Sequence, residues 1–144
     1  MLKNIQEYMK IAIRYYTKTG NTKKMAEALS EAVGVEALTV DNPLTEDVDI
    51  LFLGSAVYAA GIDPKVKEFI ENINVNVGKI VNFSSAALIE STYKQVKKIA
   101  ENNNIAMAEE EFHCRGAFKF VHRGRPNDED LRNLQEFAKN IVSP

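Results

Sequence analysis

The alternation of short apolar segments with amphipathic segments is the feature that most constrains the fold of this chain. Apolar runs predict five β-strands, at residues 11–16, 35–40, 50–53, 80–84 and within 105–113. Helical spacing predicts helices at residues 21–33, 64–73, 92–102 and after Asn127. Strands that alternate with helices form a parallel sheet with right-handed crossovers, which place helices on both faces. The expected fold is therefore a doubly wound α/β protein, a three-layer sandwich around a five-stranded parallel sheet.

Local signals define several helix ends. Asp63 followed by Pro64 is typical of a helix start, and Asn127 precedes an acidic first turn. Gly34 follows the first helical pattern and predicts its end. Residues 41–47 contain Pro43 and are too few for a full helix, so we expect an abbreviated crossover there.

Composition limits the class of protein. A chain of 144 residues, of which 45% are hydrophobic, suffices for one core. We expect an N-terminal extension at residues 1–8 and one domain at residues 9–144. A net charge of −2 gives no reason to expect nucleic-acid binding, and a single cysteine excludes an internal disulfide. Without a run of about 20 apolar residues or a signal peptide, the prediction is a cytoplasmic monomer that binds no membrane.

A turn between the first strand and the first helix is the main candidate site. It reads Thr17, Lys18, Thr19, Gly20, Asn21, Thr22. Such a turn directs backbone N–H groups and the positive end of the helix dipole toward one point. Its three hydroxyls would complete a cage for a phosphate monoester, and glycine would let the backbone approach closely. The alternative is an ordinary turn with a threonine helix cap.

Two further loops lie at the same edge of the predicted sheet. Ligands of such sheets bind beyond the carboxyl ends of the strands, where the strand order reverses. The loop after the third strand contains Tyr58, whose ring could stack on a flat ligand. The loop after the fourth strand spans residues 85–91. The turn at residues 17–22 and the loop with Tyr58 together predict a ligand with a terminal phosphate, a spacer and a flat ring.

These motifs resemble those of short-chain flavodoxins. Residues 17–22 match the family pattern Ser/Thr-x-Thr-Gly-x-Thr, and Gly54-Ser55-Ala56-Val57-Tyr58 with Asp63-Pro64 is similar to its flavin-ring loop. The resemblance implies strand order 2-1-3-4-5, the cofactor FMN, and low-potential electron transfer between a reductase and an electron acceptor. The implied cofactor-binding residues are Thr17, Lys18, Thr19, Gly20, Asn21, Thr22, Ala56, Val57, Tyr58, Ala59, Ala60, Gly61, Ser84, Ser85 and Ala86.

The chain also departs from the family pattern. Many flavodoxins are strongly acidic, whereas this chain is nearly neutral, and its loop after the fourth strand has neither glycine nor an aromatic residue. The alternative function is a flavodoxin-fold oxidoreductase that acts directly on a quinone or a porphyrinogen. The short loops offer no conspicuous acid, base or histidine for such catalysis, so no catalytic residue is predicted.

A basic segment near the C-terminus has two open interpretations. Its charged residues form either a solvated loop or a docking patch for an acidic partner. No metal site is expected, because the spacing of His113, Cys114 and His122 fits no standard zinc pattern. The residues of the basic segment are Arg115, Lys119, His122, Arg123 and Arg125.

Overall fold

The computed structural model describes residues 9–57, 61–86, 91–116 and 124–143. Its elements are β1 (Ile11–Tyr15), α1 (Asn21–Val33), β2 (Ala37–Thr39), β3 (Val48–Val57), α2 (Pro64–Glu71), β4 (Val77–Ala86), α3 (Tyr93–Asn102), β5 (Met107–Arg115) and α4 (Asp128–Val142). The predicted order of strands and helices is confirmed. The predicted extension at residues 1–8 lies outside the described residues.

The five strands form one parallel sheet in the order β2-β1-β3-β4-β5. The expected fold class and strand order 2-1-3-4-5 are therefore confirmed. The order reverses at β1, which ends at Tyr15 opposite Gly54. β3 and β4 continue together beyond that row until Val57 pairs with Ala86. The carboxyl edge therefore has a step above β1, and the turn at residues 16–20 lies at this step.

The core has one layer on each side of the sheet, because successive strand residues point to opposite faces. Phe52 and Phe83 lie in the cluster on the side of α1 and α4. Leu51 and Ile80 lie in the cluster on the side of α2 and α3. Burial of each large apolar side chain contributes about 1.5–3 kcal/mol to folding. These two apolar layers hold the carboxyl ends of the strands in register.

The predicted helix ends are largely confirmed. The Asp63 side chain accepts a hydrogen bond from the Lys65 backbone N–H at 2.9 Å, and Pro64 opens α2. Asn127 and Asp130 form a capping box at α4, in which each side chain accepts a hydrogen bond from the other residue's backbone N–H. Gly34 caps the C-terminus of α1.

The connection between β2 and β3 contains no helix, as expected from its length. A buried residue of β1, Arg14, reaches this connection instead. Its Nε donates to the Asn42 carbonyl oxygen at 2.7 Å, and a terminal nitrogen donates to the Pro43 carbonyl oxygen at 3.4 Å. Sequence analysis did not identify this contact.

Within the described ranges, no helix is both long and apolar enough to cross a membrane.

Candidate functional site

One hydrogen bond ties the turn after β1 to β3, and a second closes the turn on itself. The Tyr16 N–H donates to the Gly54 carbonyl at 3.0 Å, and the Gly20 N–H donates to Thr17 Oγ1 at 2.9 Å. Gly20 is the N-cap of α1, with φ of 95°, a conformation that favours glycine. The cap is thus a glycine and not the threonine of the simple capping alternative. The N-cap supplies no side-chain hydrogen bond to the first turn of α1.

The residues of the turn differ strongly in exposure. Lys18 and Thr19 are exposed, Thr17 and Gly20 are partly buried, and Asn21 and Thr22 are buried. The Thr22 side chain lies inside the fold and not at the surface of the turn, because this residue is 0% exposed. α1 packs closely on the end of β4, so that Thr22 Oγ1 lies 3.5 Å from Ser85 Oγ.

The end of β5 also contributes to this site, which sequence analysis missed. The Gly116 N–H donates to the Ala86 carbonyl at 3.3 Å. A Cβ atom at Gly116 would lie 2.9 Å from Asn21 Nδ2 and 3.1 Å from Ser85 Oγ. The chain therefore leaves β5 in close contact with the start of α1, where no larger side chain fits without a shift. The available sequence signal was the glycine directly after the last predicted strand.

The predicted flavin-ring loop is described at its two ends. Ala56 is buried near the end of β3, and Val57 is the last residue of that strand. Tyr58, Ala59 and Ala60 lie outside the described residues. Gly61 has φ of 112°, which disfavours any side chain. The next residue donates its backbone N–H to Gln95 Oε1 of α3 at 3.0 Å.

The site residues that were predicted at the end of the fourth strand and in the loop after it all lie within that strand. β4 extends to Ala86, so the expectation of a loop beginning at Ser85 is wrong. Parallel pairing with both β3 and β5 carries the strand further than its apolar run indicated. Ser84 and Ser85 are buried, at 0% and 1% exposure. They point to opposite faces, so that Ser85 lies near α1 while Ser84 Oγ accepts the Thr92 N–H at 3.4 Å.

A buried polar cluster joins β3, β4 and the start of α3 beneath this edge. Thr92, Ser55 and Asn82 are each 0% exposed. Thr92 Oγ1 accepts hydrogen bonds from Ser55 Oγ and Asn82 Nδ2, each at 3.0 Å. The cluster is satisfied internally, which is the condition under which buried polar groups are tolerated. Sequence analysis missed it because its members are distant in the chain.

Burial and nearby charge keep the thiol of β5 protonated. Burial, followed by the charge of Asp130, raises the pKa of Cys114 from 9.0 to about 12. Cys114 is thus a neutral core thiol at neutral pH. Arg125 forms a bidentate ion pair with Asp130. Burial opposes ionisation of Asp130, but hydrogen bonds from Arg125 and the Asn127 backbone outweigh it and lower the pKa of this carboxyl.

His113 and Cys114, whose spacing fits no standard zinc pattern, do not come together in the structure. His113 contacts Glu111, and Cys114 is buried on the opposite face of β5 against α1. The described ranges contain no group of three or more His, Cys, Asp or Glu side chains that could hold a metal ion. Of the basic segment, Lys119, His122 and Arg123 lie outside the described residues, and Arg125 is already paired with Asp130.

The chemistry of the turn fits an anion such as a phosphate monoester. The start of α1 provides backbone donors and a positive dipole end. Thr19 lies on the exposed side of the turn, and a Cβ atom at Gly20 would have no neighbour within 4 Å. Open space therefore adjoins the backbone at the point where an anion would bind.

The chain is a doubly wound α/β protein whose strand order reverses between β1 and β3, the position at which ligands of such sheets bind. A family model for the flavodoxin domain matches residues 12–124. The chain belongs to the flavodoxin domain family.

Three similar proteins illustrate the range of this fold. The chain is 23% identical over 135 residues to an uncharacterised protein of Methanocaldococcus jannaschii, covering 85% of this chain and 90% of that protein. It is similar to the structure of a flavodoxin from the domain Archaea, with TM-score 0.75 and 15% identity over 93% of this chain and 96% of the other. It is also similar to rubredoxin oxygen:oxidoreductase of Desulfovibrio gigas, with TM-score 0.68 and 16% identity over 92% of this chain but 35% of the other.

Proposed function

We propose that this chain binds FMN and carries electrons at low potential between a reductase and an acceptor protein. The observation that carries the proposal is the turn before α1, where Gly20 caps the helix without a side chain and Thr19 is exposed beside it. Membership of the flavodoxin domain family supports the same ligand. The proposal includes a cytoplasmic monomer with an extension at residues 1–8 and a flavodoxin-like domain at residues 9–144.

Each part of the edge has a proposed role toward FMN. The hydroxyls of Thr17, Thr19 and Thr22 and the backbone around Gly20 and Asn21 would hold the phosphate, with Lys18 adding positive charge. The strand ends at residues 56–57 and 84–86 and the segment 58–61 would surround the ring, with Tyr58 stacking on it. FMN, when bound, supplies one-electron and two-electron redox chemistry, and the chain positions it.

The three threonines are not equally available for this role. Thr17 Oγ1 already accepts a backbone hydrogen bond, but its hydroxyl proton remains a donor for a phosphate oxygen. Thr22 is buried beside Ser85, so its hydroxyl would reach the phosphate only if it turned away from that serine. Thr19 is exposed, so its hydroxyl lies on the surface of the turn where a phosphate would bind.

A second candidate function is a flavodoxin-fold oxidoreductase that reduces or oxidises a quinone or a porphyrinogen directly. The observation that favours it is the likeness to a segment of the D. gigas oxidoreductase, since the fold also occurs inside a redox enzyme. The two functions differ in their need for a partner. Turnover of a quinone with NAD(P)H and no added reductase would favour the enzyme.

Comparison of FMN with riboflavin tests the proposed ligand. Riboflavin lacks the phosphate and so loses several charge-assisted hydrogen bonds, each worth about 1.5–3 kcal/mol. We expect FMN to bind at least about a hundredfold more tightly, measured by quenching of flavin fluorescence on addition of the apoprotein. Equal dissociation constants for the two flavins would overturn the assignment of the turn as a phosphate site.

A further inference from the structure

A series of hydrogen-bonded side chains connects the surface of β5 to the start of α3. Glu111 Oε2 lies 2.6 Å from His113 Nδ1, and Glu111 Oε1 accepts from Ser91 Oγ at 2.7 Å. The side chain of Glu111 is 17% exposed, so its carboxylate is largely withdrawn from water. Both carboxylate oxygens thus have a defined partner.

Ser91 acts as the side-chain cap of α3. Its Oγ accepts the Tyr93 N–H at 3.0 Å while donating to Glu111. The adjacent Thr92 forms no side-chain cap hydrogen bond because its hydroxyl belongs to the buried cluster with Ser55 and Asn82. A carboxylate at a helix N-terminus is also favoured by the helix dipole. Glu111 therefore fixes the first turn of α3 from the neighbouring strand.

The first turn of α3 contacts the connections that leave both central strands. Thr92 Oγ1 accepts from Ser55 near the end of β3, and Gln95 Oε1 accepts from the Ile62 N–H in the connection that follows. Ser91 and Thr92 themselves end the connection that follows β4. One turn of one helix therefore holds the ends of both connections next to the proposed ring site.

We propose that Glu111 is a positioning residue for the flavin ring. It holds Ser91 and with it the first turn of α3, and this turn holds Ile62. The inference rests on the proposed binding of FMN, but the effect of Glu111 on the start of α3 does not depend on a bound flavin. Glu111 itself lies on the α3 side of β5, and the ring site is beyond the ends of β3 and β4. Its effect is transmitted by Ser91 and Gln95.

Three variants separate a positional role from a simple charge effect. Glu111→Leu removes both hydrogen bonds and the charge. Glu111→Gln removes the same charge but keeps an amide oxygen that accepts from Ser91 and an amide nitrogen that reaches His113. Glu110→Leu is the matched control, because it removes an exposed carboxylate one residue away on the same strand.

Amide hydrogen exchange of the ligand-free protein tests whether Glu111 holds the first turn of α3. We expect Glu111→Leu to speed exchange of the Ile62 and Tyr93 amides, while Glu111→Gln and Glu110→Leu resemble the parent. Unchanged protection of both amides in Glu111→Leu would overturn the positional role, whatever the flavin does.

The affinity for FMN tests whether the position of this turn affects the flavin site. We expect Glu111→Leu to weaken FMN binding by about fivefold to thirtyfold, Glu111→Gln to stay within about threefold of the parent, and Glu110→Leu to have no effect. Equal weakening by Leu and Gln at position 111 would indicate a charge effect and overturn the inference. Failure of the parent protein to bind FMN would instead overturn the proposed function, and the exchange experiment would still report on α3.

Discussion

Thr19 and Thr22 show how two residues of one motif differ once the chain is folded. Both belong to the same short turn, but Thr19 is exposed and Thr22 is 0% exposed. A buried hydroxyl must keep a hydrogen-bond partner inside the protein, whereas an exposed hydroxyl can exchange its partner for water or a ligand. Substitutions at the two positions should therefore have different consequences.

Replacement of each threonine by valine tests this difference. We expect Thr19→Val to weaken FMN binding by about tenfold to a hundredfold, from the loss of one charge-assisted hydrogen bond of about 1.5–3 kcal/mol, and to change the urea midpoint less than Thr22→Val does. Thr22→Val should in addition lower the free energy of unfolding by about 1 kcal/mol, because Ser85 loses its neighbouring hydroxyl. Thr45→Val, at an exposed position between β2 and β3, is the control. FMN affinity that is unaffected by Thr19→Val would move the phosphate away from this turn.

At the scale of elements, the connection between β2 and β3 is held by a side chain where a longer crossover would contain a helix. Arg14 is 9% exposed and donates to the Ile13, Asn42 and Pro43 carbonyl oxygens. Burial lowers the pKa of Arg14, although the charge of Glu36 opposes this shift. Because burial of a cation is costly, the carbonyl contacts of Arg14 must offset much of its desolvation.

Loss of these contacts should loosen the connection between β2 and β3. We expect Arg14→Met to lower the free energy of unfolding by about 1–2 kcal/mol and to speed amide exchange at residues 41–45. Lys23→Met, on the exposed face of α1, is the control for loss of a positive charge. Unchanged amide exchange in this connection would mean that the carbonyl contacts only offset the desolvation of the Arg14 guanidinium and do not hold the connection.

At the scale of the whole molecule, the layer between the sheet and α1 and α4 contains a titratable group. Cys114 is buried there, with its Sγ 4.0 Å from Met25 Sδ. Its raised pKa, about 12 against 9.0, means that the folded protein keeps the thiol proton at a pH where the unfolded chain releases it. The contribution of this proton to stability is complete below pH 9.0 and is lost as the pH rises toward 12.

Alkaline stability should therefore depend on this single side chain. We expect the free energy of unfolding of the parent to fall by up to about 1.4 kcal/mol per pH unit more steeply than that of Cys114→Ala above pH 9. Urea unfolding of both proteins at several pH values measures the two slopes. Their comparison removes the contributions of tyrosines and lysines that titrate in the same range. Parallel slopes would show that the thiol ionises in the folded protein as it does in the unfolded chain.

Much of the fold was predictable from the sequence because it follows from contacts between residues close in the chain. The helical spacing after Pro64, the capping residues Asp63 and Asn127, and the glycine after α1 are local features, and each is confirmed. The alternation of strands and helices was enough to predict a parallel sheet. The turn at residues 17–22 was recognisable for the same reason, since a strand, a turn and a helix are consecutive.

The tertiary structure alone decided which side chains of the candidate site are buried and what they contact. The burial of Thr22 depends on how α1 packs on β4, and the length of β4 depends on its pairing with two neighbouring strands. The contacts of Glu111 with Ser91 and of Thr92 with Ser55 join positions 20 and 37 residues apart. No local pattern encodes such pairs, because they exist only once the register of the parallel strands and the packing of α3 on the sheet bring distant residues together.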